Sequence, residues 1–368
     1  MSTAFRTPFR VGLVGYGLAG SAFHAPLIAT TPGLRLDAVV TANPERRANL
    51  RRDHPDARAV DTPEQLLADP EALDLVVIAS PNRTHVPLAR AAVRAGLATV
   101  VDKPLAATAA SALELCEYAE SRGVLLSVFQ NRRWDGDFLT ARHLVESGAL
   151  GRVHRFESRF ERFRPKPKAG WRELADPAEA GGTLYDLGSH LVDQAITLFG
   201  PVDTVYAEID TRRDGAVVDD DSFLALTHAG GTRSHLWTSA ITPLTGPRLR
   251  ILGDRAGYVK FGMDPQEDAL KAGRRPDGTH PWGADAETHH GAFGTDGSAA
   301  ALPTYPGDYP AFYAGVATAL ATGTPPPVDP RDAVTTLTVL EAARASAATG
   351  TVVRPDARAP RGPAATPR

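Results

Sequence analysis

A single cysteine, Cys116, is present among the 368 residues of this sequence. One thiol cannot close an internal disulfide, and it cannot supply the several cysteines of a typical structural zinc site. Long hydrophobic runs are also missing, since no stretch approaches the roughly 18 apolar residues that span a membrane. Residues 1–12 hold no apolar core of the kind found in signal peptides. We therefore expect a soluble, cytoplasmic protein.

The sequence also has little net charge. Its 40 Lys and Arg residues almost balance its 43 Asp and Glu residues, and the net charge at pH 7 is −3. So small a total excludes bulk electrostatic attraction to nucleic acid or to anionic lipid as the main activity. We therefore expect neither a nucleic-acid partner nor a membrane partner. The hydrophobic fraction of 43% is that of a globular protein, and the length favours two domains.

Strand-like and helical segments alternate over the first 130 residues. The apolar runs at residues 11–14, 34–40 and 74–79 are each followed by a helical pattern. Such alternation is typical of βαβ units and of a parallel, doubly wound sheet. We therefore predict an α/β protein whose N-terminal domain, residues 1–130, is a Rossmann dinucleotide-binding domain.

The pattern changes after residue 130. Strand-like runs follow one another between residues 153 and 261, and most of the links between them are too short for helical crossovers. We predict a C-terminal α+β domain, residues 131–353, with a large, mostly antiparallel sheet. Residues 264–306 have no period and are interpreted as a long loop. The Pro- and Arg-rich residues 354–368 predict a disordered tail.

Gly15-Tyr16-Gly17-Leu18-Ala19-Gly20 matches the pattern G-x-G-x-x-G. It follows a predicted strand and begins a predicted helix, which is the context in which the pattern binds a dinucleotide. Glycines allow a tight turn and let backbone N–H groups approach a pyrophosphate, while the helix N-terminus favours negative charge. We predict that Gly15, Gly17, Leu18, Ala19 and Gly20 bind the cofactor. The alternative is a glycine turn that serves packing only.

The end of the second predicted strand bears on the choice between NAD and NADP. A carboxylate at this point binds the ribose 2′-hydroxyl of NAD. This sequence instead has Thr41, followed by Arg46 and Arg47. A hydroxyl and nearby arginines suit a 2′-phosphate, so we predict that Thr41 and Arg46 contact NADP and that NAD is the less favoured cofactor. The alternative is that Arg46, Arg47, Arg51 and Arg52 form a solvated helix face.

Further motifs give the chain a family resemblance. They are Ser80-Pro81-Asn82-Arg83-Thr84-His85, Val101-Asp102-Lys103-Pro104, Trp171-Arg172 and Gly181-Gly182-Thr183-Leu184-Tyr185-Asp186-Leu187-Gly188-Ser189-His190. With the glycine pattern, they make about residues 9–353 resemble the Gfo/Idh/MocA family of NAD(P)-dependent oxidoreductases. The family usually has Glu where Asp102 stands. Phe23-His24-Ala25-Pro26, Asn131-Arg132-Arg133-Trp134-Asp135 and Tyr258-Val259-Lys260 are similar to the branch with NADP-dependent scyllo-inositol dehydrogenases.

Three residues of these motifs are candidate catalytic groups. Lys103 ends a predicted strand, where open α/β sheets bind ligands, and its ammonium can stabilise a developing oxyanion. Asp186 and His190 are four residues apart at a helix start and therefore share a face, and His190 can take a carbinol proton near neutral pH. The resemblance implies that the three act together. Taken alone, a Lys-Pro that ends a strand and a structural histidine are the alternatives.

The resemblance also implies contacts with ligands and with other subunits. The cofactor contacts are Ser80, Pro81, Asn82 and His85, with Asp102 and Lys103 beside the nicotinamide ribose and Trp171 and Arg172 reaching across from the second domain. The candidate substrate contacts are Lys103, Arg133, Tyr185, Asp186, His190 and Tyr309. Ordinary loop or capping roles are the alternative for each cofactor contact. The sheet of the second domain would wall the substrate and form the interface of a homodimer or homotetramer.

The sequence thus predicts an NADP-dependent dehydrogenase or reductase acting on a secondary alcohol of an inositol, sugar or polyol. The alternatives are a same-fold enzyme with other chemistry, such as a biliverdin-reductase-like enzyme or an NAD-dependent glycosidase, and a non-catalytic sensor of sugar or cofactor. We predict no metal site, because the spacing of His280, His289 and His290 fits none. Residues 219–221, three aspartates, are interpreted as a solvated turn, and Cys116 as an inert core thiol.

Overall fold

The computed structural model of the chain describes residues 8–167 and 170–356. The strands of its N-terminal part are β1 (Phe9–Val14), β2 (Leu34–Val40), β3 (Arg58–Val60), β4 (Leu75–Ile78), β5 (Ala98–Asp102) and β6 (Leu126–Phe129). They form one parallel sheet in the order β3-β2-β1-β4-β5-β6. This confirms the predicted doubly wound sheet. The order reverses between β1 and β4, and ligands bind such sheets outside the carboxyl ends of the strands at that switch.

Helices alternate with these strands, and polar side chains cap several of them. They are α1 (Ala25–Thr30), α2 (Pro44–Asp53), α3 (Pro63–Leu67), α4 (His85–Arg94) and α5 (Ala109–Ser121). At the start of α2, α3 and α5, the side chains of Asn43, Thr62 and Thr108 accept hydrogen bonds from backbone N–H groups of the first turn. These caps satisfy donors that have no partner within the helix, so they fix where each helix begins.

Two wide helical turns stand at the points where the motifs predict a site. Ala19–His24 is a π-helical turn that leads directly into α1. Leu184–Gly188 is another, and it leads into α7 (Ser189–Phe199). Single π-helical turns occur frequently at functional sites, because the extra residue changes the direction in which neighbouring side chains point.

The C-terminal part is built on a second sheet. After α6 (Gly136–Glu146), its strands are β7 (Val153–Glu161), β8 (Val202–Asp210), β9 (Asp221–His228), β10 (Arg233–Ser239), β11 (Leu249–Gly253), β12 (Gly257–Lys260), β13 (Gly291–Gly294) and β14 (Ala300–Leu302). Their order is β14-β13-β12-β11-β7-β10-β9-β8. All neighbours are antiparallel except β7 and β10, which are parallel. The mostly antiparallel sheet was correctly predicted. The chain leaves β7, passes through α7 and re-enters the sheet at its far edge as β8. The strands β9 and β10 then fold back antiparallel, so that β10 lies beside β7 and parallel to it.

The prediction of a long loop over residues 264–306 is wrong. This segment contains a helix, α8 (Gln266–Lys271), as well as strands β13 and β14. The strand β13 pairs with β12 through backbone hydrogen bonds, although its sequence is only Gly-Ala-Phe-Gly. Glycine and alanine carry too little side chain to produce an alternating pattern, so the sequence gave no sign of a strand there.

The last helices return to the N-terminal sheet. They are α9 (Pro310–Thr322) and α10 (Pro330–Thr349), and α10 packs against α5, α7 and β8. Glu341 in α10 accepts a hydrogen bond from the backbone N–H of Ala109 at the start of α5, at 2.7 Å. Of the predicted tail, residues 357–368 lie outside the described residues. No helix in the described part of the chain is long and apolar enough to cross a membrane.

Candidate active site

The glycine turn after β1 meets two different requirements. A Cβ atom on Gly15, whose φ is +100°, would lie 2.4 Å from the carbonyl oxygen of Ala79, and a Cβ on Gly20 would lie 2.1 Å from that of Gly15. Packing alone therefore excludes side chains at these two positions. A Cβ on Gly17 would meet no protein atom within 4 Å. The glycine at this position thus leaves space open beside the helical turn that begins at Ala19, as close approach of a pyrophosphate requires.

Two arginines follow β2, and only one of them is bound by other protein groups. Arg47 donates a hydrogen bond to the carbonyl oxygen of Thr41 at 2.8 Å and pairs with Asp61. Arg46 is exposed, and its side chain has no hydrogen bond or ion pair with any described residue. Thr41 itself is buried. The side chain of Arg46 is therefore available to bind a phosphate at this end of β2, whereas that of Arg47 is already bound to the strand end.

His85, a predicted cofactor contact, is buried between two loops. Its Nδ1 lies 2.7 Å from the carbonyl oxygen of Pro104, and its Nε2 lies 2.9 Å from that of Ser80. Burial lowers the pKa of His85, and a neutral ring can donate to only one of these two acceptors. The ring thus joins the loop after β4 to the loop after β5.

Asn82 is likewise held by protein groups, here from the second domain. Its side-chain nitrogen donates to the carbonyl oxygen of Glu179 at 2.7 Å, and Arg83 pairs with the Glu179 carboxylate. Ser80 and Pro81 are partly exposed directly after β4. The glycine turn packs against this loop, since a Cβ atom on Gly15 would touch the backbone of Ala79. The loop therefore borders the glycine turn and at the same time ties the two domains together.

A cavity of about 500 Å³ brings most of the other predicted site residues together. It is lined by Leu18, Ala19, Asp102, Lys103, Trp171, Arg172, Asp186 and His190. The two residues from the glycine turn lie on the N-terminal domain, and the last four lie on the C-terminal domain. The cavity therefore runs between the two parts of the protein, beside the carboxyl end of β5.

Lys103 and Asp186 form an ion pair in this cavity. Lys103 Nζ lies 2.9 Å from Asp186 Oδ1 and also donates to the backbone carbonyl of Asp186. Arg172 Nε donates to the same Oδ1 at 3.0 Å, and the guanidinium lies 4.2 Å from the centre of the Trp171 ring. Burial alone would raise the pKa of Asp186, but Lys103 and Arg172 outweigh it and hold this pKa well below its usual range. The carboxylate is therefore ionised and keeps Lys103 in place.

His190 lies in the same cavity with unused hydrogen-bonding capacity. Its Nδ1 is buried and has no hydrogen-bond partner among the described residues. Burial, Lys103 and Arg132 hold the pKa of His190 well below 6.5. Asp186 makes no hydrogen bond to the ring, and its carboxylate is bound by Lys103 and Arg172 instead. The imidazole is thus neutral at pH 7 and can accept a proton.

Asp102 and His24 extend the site on the side of the N-terminal domain. The backbone N–H of Lys103 donates to Asp102 Oδ1 at 2.9 Å, and His24 Nε2 lies 3.7 Å from the same oxygen. On its other side, His24 Nδ1 lies 2.6 Å from the hydroxyl oxygen of Tyr313, and its ring packs 4.4 Å from Phe129. His24 is fully buried and yet lines the cavity, so it combines a packing role with a place at the site.

Three predicted substrate contacts do not line this cavity. Arg133 binds Asp193 through two hydrogen bonds of 2.6 and 2.8 Å. Tyr185 is buried beneath the guanidinium of Arg344. The hydroxyl of Tyr309 donates to Asp135 at 2.7 Å in the core. Each side chain is satisfied by protein partners, which gives it a structural role instead.

The aspartates at residues 219–221 are not a solvated turn. Asp219 is buried, accepts a hydrogen bond from the backbone N–H of Leu184 at 2.7 Å and pairs with Arg344. Asp220 is fully buried and pairs with Arg213 at 2.8 Å. Because Leu184 begins the π-helical turn that carries Asp186, Asp219 holds this turn in place. Cys116 is fully buried, as predicted, and burial raises the pKa of its thiol to about 12.

The sequence-based reasoning also missed several cations that line the cavity, among them Arg132, Arg162, Arg164 and Lys166. The last three alternate with Phe163, Pro165 and Pro167 directly after β7. A two-residue period of positive charge at a strand end was the signal that could have indicated them. In the described part of the chain, no cluster of His, Cys, Asp and Glu has the arrangement of a metal site.

Comparison with protein families gives two matches that together cover most of the chain. Residues 9–130 match the NAD-binding Rossmann fold of the Gfo/Idh/MocA oxidoreductase family, and residues 142–354 match the C-terminal alpha/beta domain of the same family. Both halves of the predicted resemblance are thereby confirmed.

Individual relatives agree over nearly the whole length. The NADP(+) scyllo-inositol 2-dehydrogenase IolW of Bacillus subtilis is 37% identical over 92% of this chain and 93% of its own. YdgJ of Escherichia coli, an uncharacterised oxidoreductase, is 43% identical over 90% of this chain and 94% of its own. The structure of YvaA of Bacillus subtilis, described as an oxidoreductase, superposes with a TM-score of 0.89 at 36% identity, covering 95% of this chain and 98% of that one.

Proposed function

The chain belongs to the Gfo/Idh/MocA oxidoreductase family, and on this premise we propose that it transfers a hydride between NADP and a secondary alcohol or ketone of an inositol, sugar or polyol. The observation that carries the proposal is the cavity beside the glycine turn, in which Lys103, Asp186 and a neutral His190 lie together. The relative IolW is named for such a reaction on scyllo-inositol.

The cofactor would lie along the glycine turn, held by the backbone around Gly17 and by Arg46. Bound there, the nicotinamide accepts or gives the hydride. The open space at Gly17 and the free side chain of Arg46 support this arrangement. Thr41 in place of a carboxylate, and the NADP in the name of IolW, support the preference for NADP over NAD.

Lys103 would stabilise the oxygen of the reacting carbon. Its ammonium has three donors, and Asp186 occupies only part of this capacity through its carboxylate and its backbone carbonyl. The remaining donor can bind the substrate oxygen and stabilise negative charge that develops on it. Asp186 remains ionised beside Lys103, so its carboxylate holds and orients the ammonium.

His190 would accept the proton of the carbinol. Because its pKa lies well below 6.5, the ring is in the unprotonated form that a general base requires at neutral pH. Its buried Nδ1 has no protein partner in the described part of the chain. Reduction of a ketone would use the same ring in the opposite sense, as the donor of a proton that it has taken up.

The test is a panel of inositols, aldoses and polyols, together with their phosphorylated and carboxylate forms, assayed with NADP and with NAD through the absorbance of the reduced cofactor. We expect turnover with at least one of them, and we expect His190→Ala to lower it by a factor on the order of 10² to 10⁴ while NADP still binds. His154→Ala is the matched control, because His154 is exposed on β7. Full activity of the His190 variant would remove this residue from the mechanism, and no turnover with any compound would refute the proposal.

A further inference from the structure

The strand β7 continues beyond Glu161 as a cationic strip, which we define as Arg162, Arg164 and Lys166. The backbone N–H of Arg162 donates to the carbonyl oxygen of Ser239 at 2.8 Å, and that of Arg164 donates to Ala240 at 2.6 Å. Extended backbone sends alternate side chains to one face, and all three cations of the strip line the cavity. Phe163, between them, is 59% exposed. The strip therefore presents its charges to the cavity, with Arg162 half-buried and with Arg164 and Lys166 also exposed to solvent.

The cations of this strip differ from the other cations of the cavity in having no carboxylate partner. Eight Lys and Arg side chains and five carboxylates line the cavity. The five cations outside the strip each form an ion pair with Asp or Glu. Among the described residues, no ion pair or side-chain hydrogen bond is made by the strip. The remaining residues of the chain include no Asp or Glu.

Arg162 is the most enclosed member of the strip. It is half-buried, and its guanidinium lies 4.6 Å from the centre of the Phe160 ring. Arg132 lies at the same distance from that ring. Burial and the neighbouring Arg164 lower the pKa of Arg162, which reflects the cost of keeping this charge away from water and beside another cation. A cation in such a place is stabilised by an anion from outside the chain.

The surroundings of Arg162 assign that anion to the substrate side of the cavity. The carboxylates that act on its charge are Asp186, which holds Lys103, and Glu267, which holds Arg132. The phosphates of a dinucleotide have other groups available, namely the open backbone at Gly17 and the free side chain of Arg46. Arg162 is thus a neighbour of the reacting groups, on the domain opposite to the glycine turn.

We propose that the substrate carries an anionic group, a carboxylate or a phosphate, and that Arg162 binds it with the support of Arg164 and Lys166. This inference rests on the proposed function and narrows its substrate class from inositols, sugars and polyols in general to acidic sugars and phosphorylated sugars or inositols. The planar guanidinium offers two parallel donors, which match the oxygens of either group. The anion would also offset the positive surroundings of His190, so that the ring could hold the proton it receives.

The test compares each anionic substrate with its neutral counterpart: D-glucuronate and D-glucose 6-phosphate with D-glucose, and inositol 1-phosphate with myo-inositol. We expect a higher kcat/KM for an anionic member, and we expect Arg162→Gln to lower the ratio of anionic to neutral kcat/KM on the order of 10- to 100-fold. Arg159→Gln is the matched control, because Arg159 is on the same strand and lies over an aromatic ring, that of Trp237 at 3.9 Å, but does not line the cavity. Circular dichroism checks that both variants fold.

Turnover that is equal for neutral and anionic compounds and unaffected by Arg162→Gln would overturn the anion site and leave the proposed function intact. If no compound is turned over, calorimetric titration of the NADP-loaded protein with D-glucuronate and D-glucose 6-phosphate separates the two ideas. Binding that is lost in Arg162→Gln would support the anion site and reject the hydride transfer; no binding would reject both. A tenfold weaker affinity of Arg162→Gln for NADP alone would assign Arg162 to the cofactor and overturn the inference.

Discussion

Arg46 and Arg47 are adjacent in the sequence, yet only one of them has a free side chain. Arg47 is committed to the carbonyl of Thr41 and to Asp61, so its loss would disturb the strand end. Arg46 points into solvent and contributes nothing to these contacts. A substitution of Arg46 should therefore remove only a phosphate contact, whereas a substitution of Arg47 should also distort the fold.

We expect Arg46→Gln to raise the KM for NADP by on the order of 10-fold, since it removes one charge-assisted contact with the 2′-phosphate. The KM for NAD should stay within about twofold, because NAD has no such phosphate. Arg51→Gln is the control, as Arg51 is exposed on the same helix and has no side-chain partner in the described part of the chain. An equal loss with both cofactors would contradict the role of Arg46.

A second pair of neighbouring arginines, Arg132 and Arg133, shows which features of the site the sequence could not reveal. Lys103, Asp186 and His190 could be named as candidates from the sequence, because each stands in a motif with a fixed position relative to a strand end or helix start, and all three line the cavity. From the sequence, Arg133 and not Arg132 was predicted as a substrate contact, whereas the tight turn that carries them sends the Arg132 guanidinium to the cavity and that of Arg133 to Asp193. Which of two adjacent side chains faces a site depends on the turn, and no residue type encodes it.

At the scale of elements, the glycine turn combines a constraint of the fold with a constraint of the ligand. Gly15 is needed because its φ is positive and the Ala79 carbonyl lies where a Cβ would be. Gly17 has no positive φ of this kind, and no protein atom lies close to where its Cβ would be. Packing and binding therefore act on different glycines of one short motif, and they can be measured separately.

We expect Gly15→Ala to lower the free energy of unfolding by about 1–3 kcal/mol, because alanine is strained at this φ and close to Ala79. Gly17→Ala should leave the melting temperature nearly unchanged and weaken NADP binding at least tenfold, since its methyl group would fill the space for the pyrophosphate. Thermal denaturation and calorimetric titration of both variants provide the two measurements. Unchanged NADP affinity of Gly17→Ala would contradict the binding role of the turn.

Other elements show why part of the fold could not be anticipated. The strands β1, β4 and β5 are nearly continuous apolar runs, and burial on both faces makes such runs easy to identify. The helix α8 has six residues, and its Glu267 pairs with Arg132 from a distant part of the chain. Short elements of this kind are stabilised by contacts that the local sequence does not contain.

At the scale of the whole molecule, the near-neutral net charge conceals a separation of charges. The chain carries a net charge of −3, yet cations outnumber carboxylates in its cavity. The cavity therefore attracts anionic ligands although the protein as a whole repels them weakly. The total charge led us to expect no nucleic-acid partner, but it said nothing about this local field.

We expect the free energy of unfolding to fall as the pH drops below 6.5, and His54 to contribute to the loss. Burial and Arg275 lower the pKa of His54 to about 4. The unfolded chain therefore binds a proton at this residue near pH 6.5 while the folded chain does not, so acid favours unfolding. His54→Gln should reduce the loss between about pH 7 and about pH 5 by about 2 kcal/mol.

Urea denaturation at the two pH values measures this difference. His280→Gln is the control, because it makes the same substitution at a histidine that is exposed. The same pH dependence in wild type and in His54→Gln would show that this residue is protonated equally in the folded and unfolded chains.

The return of α10 to the N-terminal half has a consequence for how the protein is made. The ribosome releases the strands β1 to β6 first, and in many proteins an N-terminal domain folds before the rest emerges. Here α5 packs against α10, and Ser127 in β6 donates its hydroxyl hydrogen to the carbonyl oxygen of Val328 at 2.8 Å. The nascent dinucleotide-binding half thus keeps an apolar flank uncovered until some two hundred further residues have been translated. A chaperone that shields apolar surface would have its longest opportunity on this flank.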